Sequence, residues 1–197
     1  MNKPVVISAP SDDAMENLEF IRRTLEISGA FTAVPGWGLV AVGVTAIGAA
    51  LMANEQTYVH RWLLIWIGEA IIGLAIALWS MYIKATRTGV TLLAAPGRKF
   101  ALGLLPPLVC GAILTPILYR ADAIAPLPAV WLLLYGTAVV TGGAFSIRIV
   151  PVMGMCFMVL GVLAFVTPGS WALVWMLAGF AGLHLLFGFL IARNYGG

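Results

Sequence analysis

Six stretches of this chain, each close to twenty residues long, offer water almost nothing to solvate, and that restricts the fold more than any other feature. A block of about 20 apolar residues crosses roughly 30 Å of hydrocarbon as a helix rising 1.5 Å per residue. The blocks lie near Gly36 to Ala53, Arg61 to Lys84, Phe100 to Tyr119, Ala129 to Ser146, Ile149 to Thr167 and Ser170 to Ala192. They are apolar on every side, whereas the strands of a membrane barrel alternate apolar and polar residues. Only 10% of the 197 residues are charged and 61% are hydrophobic; a soluble domain carries about 25% charged residues to clothe its surface. The expected fold is an all-α integral membrane bundle of six transmembrane helices, residues 31–197, preceded by a cytoplasmic segment, residues 1–30, that holds an amphipathic helix.

The distribution of basic residues sets the expected orientation. With the N-terminus in the cytoplasm, the inner face holds nine, Lys3, Arg22, Arg23, Lys84, Arg87, Arg98, Lys99, Arg148 and Arg193, and the outer face two, Arg61 and Arg120. This is the asymmetry of the positive-inside rule, so both termini are expected in the cytoplasm of a multi-pass inner-membrane protein. Topology accounts for the net charge of +3, and no nucleic-acid partner is expected. The opening MNKPVVISAPSDDA lacks an apolar run with a small-residue cleavage site, so no secretory signal is expected and the first span serves for insertion. Cys110 and Cys156 both fall within spans, outside any CxxC pair, and read as small packing residues.

Between Ser11 and Gly29 the sequence reads as a surface helix. Ser11 or Asp12 caps its start, Met15, Leu18, Ile21 and Leu25 recur at helical spacing, and Glu19 with Arg23 and Arg22 with Glu26 sit four apart. It is either an interfacial helix that steers the chain into the first span or a docking helix for a partner. The segment VTLLAAPG, flanked by Lys84, Arg87, Arg98 and Lys99, is too short to span and is expected to lie along the interface.

The even-numbered spans resemble one another. WLLIW with Gly73, WLLLY with Gly142 and WALVW with Gly182 each place an aromatic four residues after the first Trp and a glycine eleven after it. The pattern suggests three helical hairpins; interfacial enrichment of Trp and Tyr explains the aromatics, but not the glycine register. In the first span Gly38, Ala41, Thr45 and Gly48 form one small-residue stripe for close helix packing.

Ionisable groups inside a span are the default functional candidates, because a charge at the centre of a membrane helix costs about 2.5 to 3.5 kcal/mol or more. Here they are Glu69 in WIGEAIIGLAIALW and His184 in the sixth span. The third span, FALGLLPPLVCGAILTPILY, carries Pro106, Pro107 and Pro116, which remove helical donors and free the carbonyls of Leu102, Gly103 and Ala112. That span is expected to be kinked or discontinuous. One reading makes Glu69 a protonated acid bonded to Thr115 or to a freed carbonyl, with His184 donating to a broken-helix carbonyl; the other lines a polar cavity for a small cation, a proton or an amphipathic ligand with Glu69, His184, Pro106, Pro107 and Thr115. A third makes His184 an axial ligand of haem or a pigment, without a second histidine inside a span. No other cofactor and no metal is expected.

Catalytic patterns such as HExxH, a P-loop, a glycine fingerprint after a strand or a Ser, His and Asp set that could converge do not occur, and no catalytic residue is assigned. The stretch ENLEFIRRTLEISGAFTAVPGWG, residues 16–38, resembles the opening of small bacterial six-span integral membrane proteins of unassigned function. The resemblance implies that the junction from Phe31 to Trp37 matters, and it brings no substrate, cofactor or catalytic residue with it. The expected function is that of a non-enzymatic accessory or interaction subunit in a membrane complex, binding lipid, other membrane subunits or copies of itself. Two alternatives stay open: a small transporter or channel using Glu69 and the proline-broken third span, and a haem- or pigment-binding subunit through His184.

Overall fold

The computed structural model describes residues 15–21 and 29–196, and their regular elements are helical apart from one isolated bridge between Phe31 and Ser146. Six long helices follow in order: α1 Gly36–Asn54, α2 Val59–Thr88, α3 Ala95–Arg120, α4 Leu127–Gly143, α5 Ile149–Val166 and α6 Gly169–Tyr195. In hydrocarbon every backbone donor and acceptor must be satisfied within the fold, and a helix does this without help from neighbours. Five of the six are long and apolar enough to cross a membrane, whereas α4 is an apolar helix of 17 residues.

Local sequence sets the helix ends. Gly89, at φ 69°, adopts the left-handed conformation that stops α2, and the Val90 N–H then bonds the Ala85 carbonyl at 3.0 Å. Pro96 and Pro128 stand in the first turns of α3 and α4, where a missing N–H costs nothing. Helix α3 starts at Ala95, so the connection expected over VTLLAAPG is shorter than the sequence suggests and its last residues are helical. Helix α4 likewise starts two residues earlier and stops three earlier than expected, because Ala144, Phe145 and Ser146 close the end with turn hydrogen bonds to Val140, Gly142 and Gly143.

Helix α6 is not uniform. A 3-10 turn at Gly169–Trp171 leads into a short α-helical piece, Ala172–Met176, then a π-helical stretch, Leu177–Leu183, before regular α-helix resumes at His184–Tyr195. The widened turns alter the register of side chains immediately ahead of His184, a departure often found at functional positions.

Packing runs in the spatial order α2, α1, α6, α5, α4, α3. Helix α1 lies between α2 and α6, α4 lies between α5 and α3, and α6 joins the two halves through α5 and α4. The hairpins α1–α2 and α3–α4 are closely packed, whereas α5 packs chiefly on α4 and α6 chiefly on α1. The glycine register of the even spans divides in the same way: Gly73 meets Val42 of α1 and Gly142 meets Phe100 and Leu104 of α3, but Gly182 meets nothing outside its own helix. Backbones also approach closely where α4 meets α5, since a Cβ on Gly136 would sit 2.7 Å from the Gly154 carbonyl oxygen, and one on Gly154 would sit 2.7 Å from the Gly136 oxygen.

The small-residue stripe of α1 does not pack as a unit. Gly38 lies against Ser80 of α2, but Ala41 and Gly48 face outward and nothing lies within 4 Å of a Cβ on Gly48. The closest approach of α1 is instead to α6, through Gly36 against Ala192 and through Gly188 against Val40 and the Gly36 carbonyl. A stripe on a helix specifies a face and not its occupant; α6, by far the more distant in sequence, takes the best face.

The junction before α1 is built into one end of the bundle. Phe31, Ala33 and Val34 are buried, Phe31 stacks on Phe100 at 4.8 Å, its N–H bonds the Phe145 carbonyl at 2.7 Å, and the Ser146 hydroxyl donates to the Phe31 carbonyl at 2.6 Å. Residues 15–21 form an exposed helical stretch. The expected cap at Ser11 or Asp12 and the charge pairs that use Arg22, Arg23 and Glu26 lie outside the described residues. Of the two cysteines, Cys156 packs against the core, whereas Cys110 is exposed on α3, so its expected packing role does not hold.

Candidate functional site

The residues singled out by the sequence sit at three separate interfaces. Glu69 belongs to the face of α2 that meets α1, one stripe with Leu63, Trp66, Gly73 and Lys84, all buried. Its carboxyl oxygen Oε1 lies 2.8 Å from the Thr45 hydroxyl of α1. Gly73, one turn along, leaves room for the carboxyl beside Val42. The expected partner Thr115 is elsewhere. A helix turns 100° per residue, so a single spacing rule cannot say which of two neighbouring helices a side chain at 69 will meet, and the order of packing gives it α1.

His184 lies where the end of the π-helical stretch faces α4, and only 1% of its surface is exposed. Its Nε2 is 2.7 Å from the Tyr135 hydroxyl. Tyr135, Phe157 and Phe180 surround the ring, with centroid distances of 5.4, 5.4 and 6.3 Å. The backbone of Gly179 and Phe180, in the preceding turns, also bonds to the imidazole. Trp66 Nε1 is buried without a hydrogen-bond partner among the described residues, and the Trp66 and His184 side chains both flank Phe180. The expected bond from His184 to a carbonyl of the third span is replaced by the tyrosine, because α3 packs on the far side of α4.

The third span is not interrupted. Helix α3 runs from Ala95 to Arg120 with Pro106, Pro107 and Pro116 inside it. The Gly103 carbonyl, freed by Pro107, lies 2.6 Å from the Thr141 hydroxyl of α4, which it shares with the Thr137 carbonyl at 2.8 Å, so a neighbouring helix replaces part of the bond that proline removes. Thr115 donates to the Gly111 carbonyl at 2.7 Å and accepts from Trp131 Nε1 at 2.9 Å. Pro106 is exposed and Pro107 half-buried.

Sequence reasoning counted Lys84 among the basic residues of the inner face, at the end of the second span; its side chain is 6% exposed. Its ammonium donates to the carbonyls of Val34 at 2.9 Å, Tyr195 at 2.9 Å and Gly196 at 2.5 Å. Three N–H groups thus meet three acceptors, two of them at the carbonyl-rich end of α6, where the helix dipole favours a cation. A signal was present: positions 66, 69, 73, 80 and 84 repeat at helical spacing, so Lys84 shares the face of Glu69. Tyr135 was read as an interfacial aromatic and Thr45 as a small packing residue, and each is instead the hydrogen-bond partner of an intramembrane candidate.

Chemically, the arrangement holds a carboxyl bonded to a hydroxyl, an imidazole bonded to a phenol and an ammonium bonded to backbone, each on its own contact. No family model, no curated protein and no solved structure matches this chain.

Proposed function

We propose that this chain is a non-enzymatic integral membrane protein of six spans, with both termini in the cytoplasm of a bacterial-type inner membrane, and that it serves as an interaction or accessory subunit for other membrane components. One observation carries the reading: the two flanking helices are packed on one side only. In their most apolar 18-residue stretches, 11% of the residues of α2 and 6% of those of α3 are buried, against 44% in α1 and 39% in α6. Faces of this kind meet lipid or another membrane protein, and small residues on them let a second backbone come close. Gly48 on α1 and Gly68 on α2 both have open space where a Cβ would stand. The basic residues support the orientation: Lys84, Arg87, Arg98, Lys99, Arg148 and Arg193 fall at the end where Phe31 is buried, and Arg61 and Arg120 at the other.

The alternatives have less support. A carrier built on Glu69 and the third span needs the two side by side, but α2 and α3 stand on opposite flanks of the packing order. Haem ligation through Nε2 of His184 requires Tyr135 to move off that nitrogen.

The test is photo-crosslinking in native membranes from Ile71 on α2 and Ile113 on α3, both exposed. A discrete adduct from either position, identified as another membrane protein or a second copy of this chain, supports the reading. Monomeric purified protein with no adduct from either position refutes it.

A further inference from the structure

The contact between α1 and α2 contains one ionisable group, and its hydrogen bonds constrain where a proton sits. The Thr45 hydroxyl oxygen lies 2.8 Å from Glu69 Oε1 and 2.9 Å from the carbonyl oxygen of Val42, both bonding distances. A hydroxyl has one hydrogen to give, and both an ionised carboxylate and a carbonyl only accept. With Glu69 ionised, two acceptors share the single Thr45 hydrogen, as the Gly103 and Thr137 carbonyls share that of Thr141. With a proton on Glu69, both are made: the carboxylic acid donates to the Thr45 oxygen and the Thr45 hydrogen goes to Val42.

The surroundings supply nothing that would hold the charge. Helix α1 carries no ionisable side chain from Gly36 to Asn54. On α2 the nearest are Arg61 and His60, eight and nine residues away, then Tyr82, thirteen residues away, and Lys84, fifteen residues away and committed to three carbonyls. Helix α6, on the other face of α1, carries His184, Arg193 and Tyr195; His184 bonds Tyr135, and the other two lie in the last turn. A carboxylate here would stand within an apolar helix pair with no cation beside it.

The geometry points to Glu69 and Thr45 as a proton-binding site within the membrane, held neutral at rest with Glu69 as donor. Loss of the proton swings the Thr45 hydroxyl from Val42 to the carboxylate, so the same atoms make a different bond in each state. Thr45 is half-exposed, which gives the hydroxyl room to turn. The site stands independently of the interaction reading.

Infrared spectroscopy of the full chain in lipid bilayers near neutral pH tests it. Among the described residues the other carboxyl groups, Glu16, Glu19, Glu55 and Asp122, are exposed on the molecule, and a protonated-acid carbonyl band that shifts in heavy water is assigned to Glu69 by its loss in Glu69→Gln. The band is expected in the wild type and in Thr45→Ser, displaced in frequency in Thr45→Val, and absent in Glu69→Gln. A wild-type spectrum without the band, a band that persists in Glu69→Gln, or one unmoved by Thr45→Val overturns the proposal. The Thr45 pair decides the matter even where Glu69→Gln does not fold.

Discussion

Tyr135 Oη and His184 Nε2 lie 2.7 Å apart across the contact of α4 with α6, inside a group of aromatic rings. Removing the phenol hydroxyl alone strands a buried ring nitrogen, which costs about 1–3 kcal/mol, whereas replacing both partners with apolar side chains is close to neutral. Tyr135→Phe is therefore expected to lower the thermal midpoint in detergent, and Tyr135→Phe with His184→Phe to recover part of the loss. A double variant at or below the sum of the two singles would show that the bond is not coupled.

Lys84 fastens the end of α6 to the segment before α1. In Lys84→Met the carbonyls of Val34, Tyr195 and Gly196 lose their donor, and the expected loss is about 3 kcal/mol, since bonds to a charged group contribute about 1.5–3 kcal/mol. Amide hydrogen exchange checks it: the last turns of α6 and residues around Val34 should exchange faster, while the α4–α5 contact does not.

Glycines that touch backbone and glycines that face open space should respond oppositely to a methyl group. Gly154→Ala pushes against the Gly136 carbonyl and the Val140 amide nitrogen at 2.7 Å, and overpacking of this kind costs about 1–3 kcal/mol. Gly48→Ala meets nothing within 4 Å and is expected to be neutral or to gain up to about 1 kcal/mol from helix propensity. Unfolding midpoints of the two variants against the wild type measure the difference.

Thr141 stands in for the helical bond that Pro107 removes at Gly103. Thr141→Val is expected to cost about 1 kcal/mol, the typical net value of one hydrogen bond. Pro107→Ala restores an N–H to the Gly103 carbonyl, so it should stabilise the Thr141→Val protein more than it stabilises the wild type. Equal effects in both backgrounds would separate the two positions.

How legible the molecule was depended on the range of the interaction involved. The six apolar blocks follow from local composition, and the helices appear within a few residues of the expected places; the stop at Gly89 and the burial of Phe31 against α3 and the end of α4 were not read. The partners of Glu69, His184 and Gly103 were not legible. A periodic pattern gives the face of a helix, and in a bundle several neighbours can meet that face; Thr45, Tyr135 and Thr141 became partners through the packing order alone. The burial of Lys84 was not read, because a count of basic residues by topology takes no account of it.

By itself, then, the sequence determined the elements: residues this apolar in blocks of this length become helices, the form that satisfies its backbone groups without a neighbour. Tertiary structure alone decided which polar groups meet. Helix order in space is set by backbone approach at residues such as Gly36, Gly136, Gly154 and Gly188, and those contacts join positions far apart in the chain, beyond the reach of any periodicity.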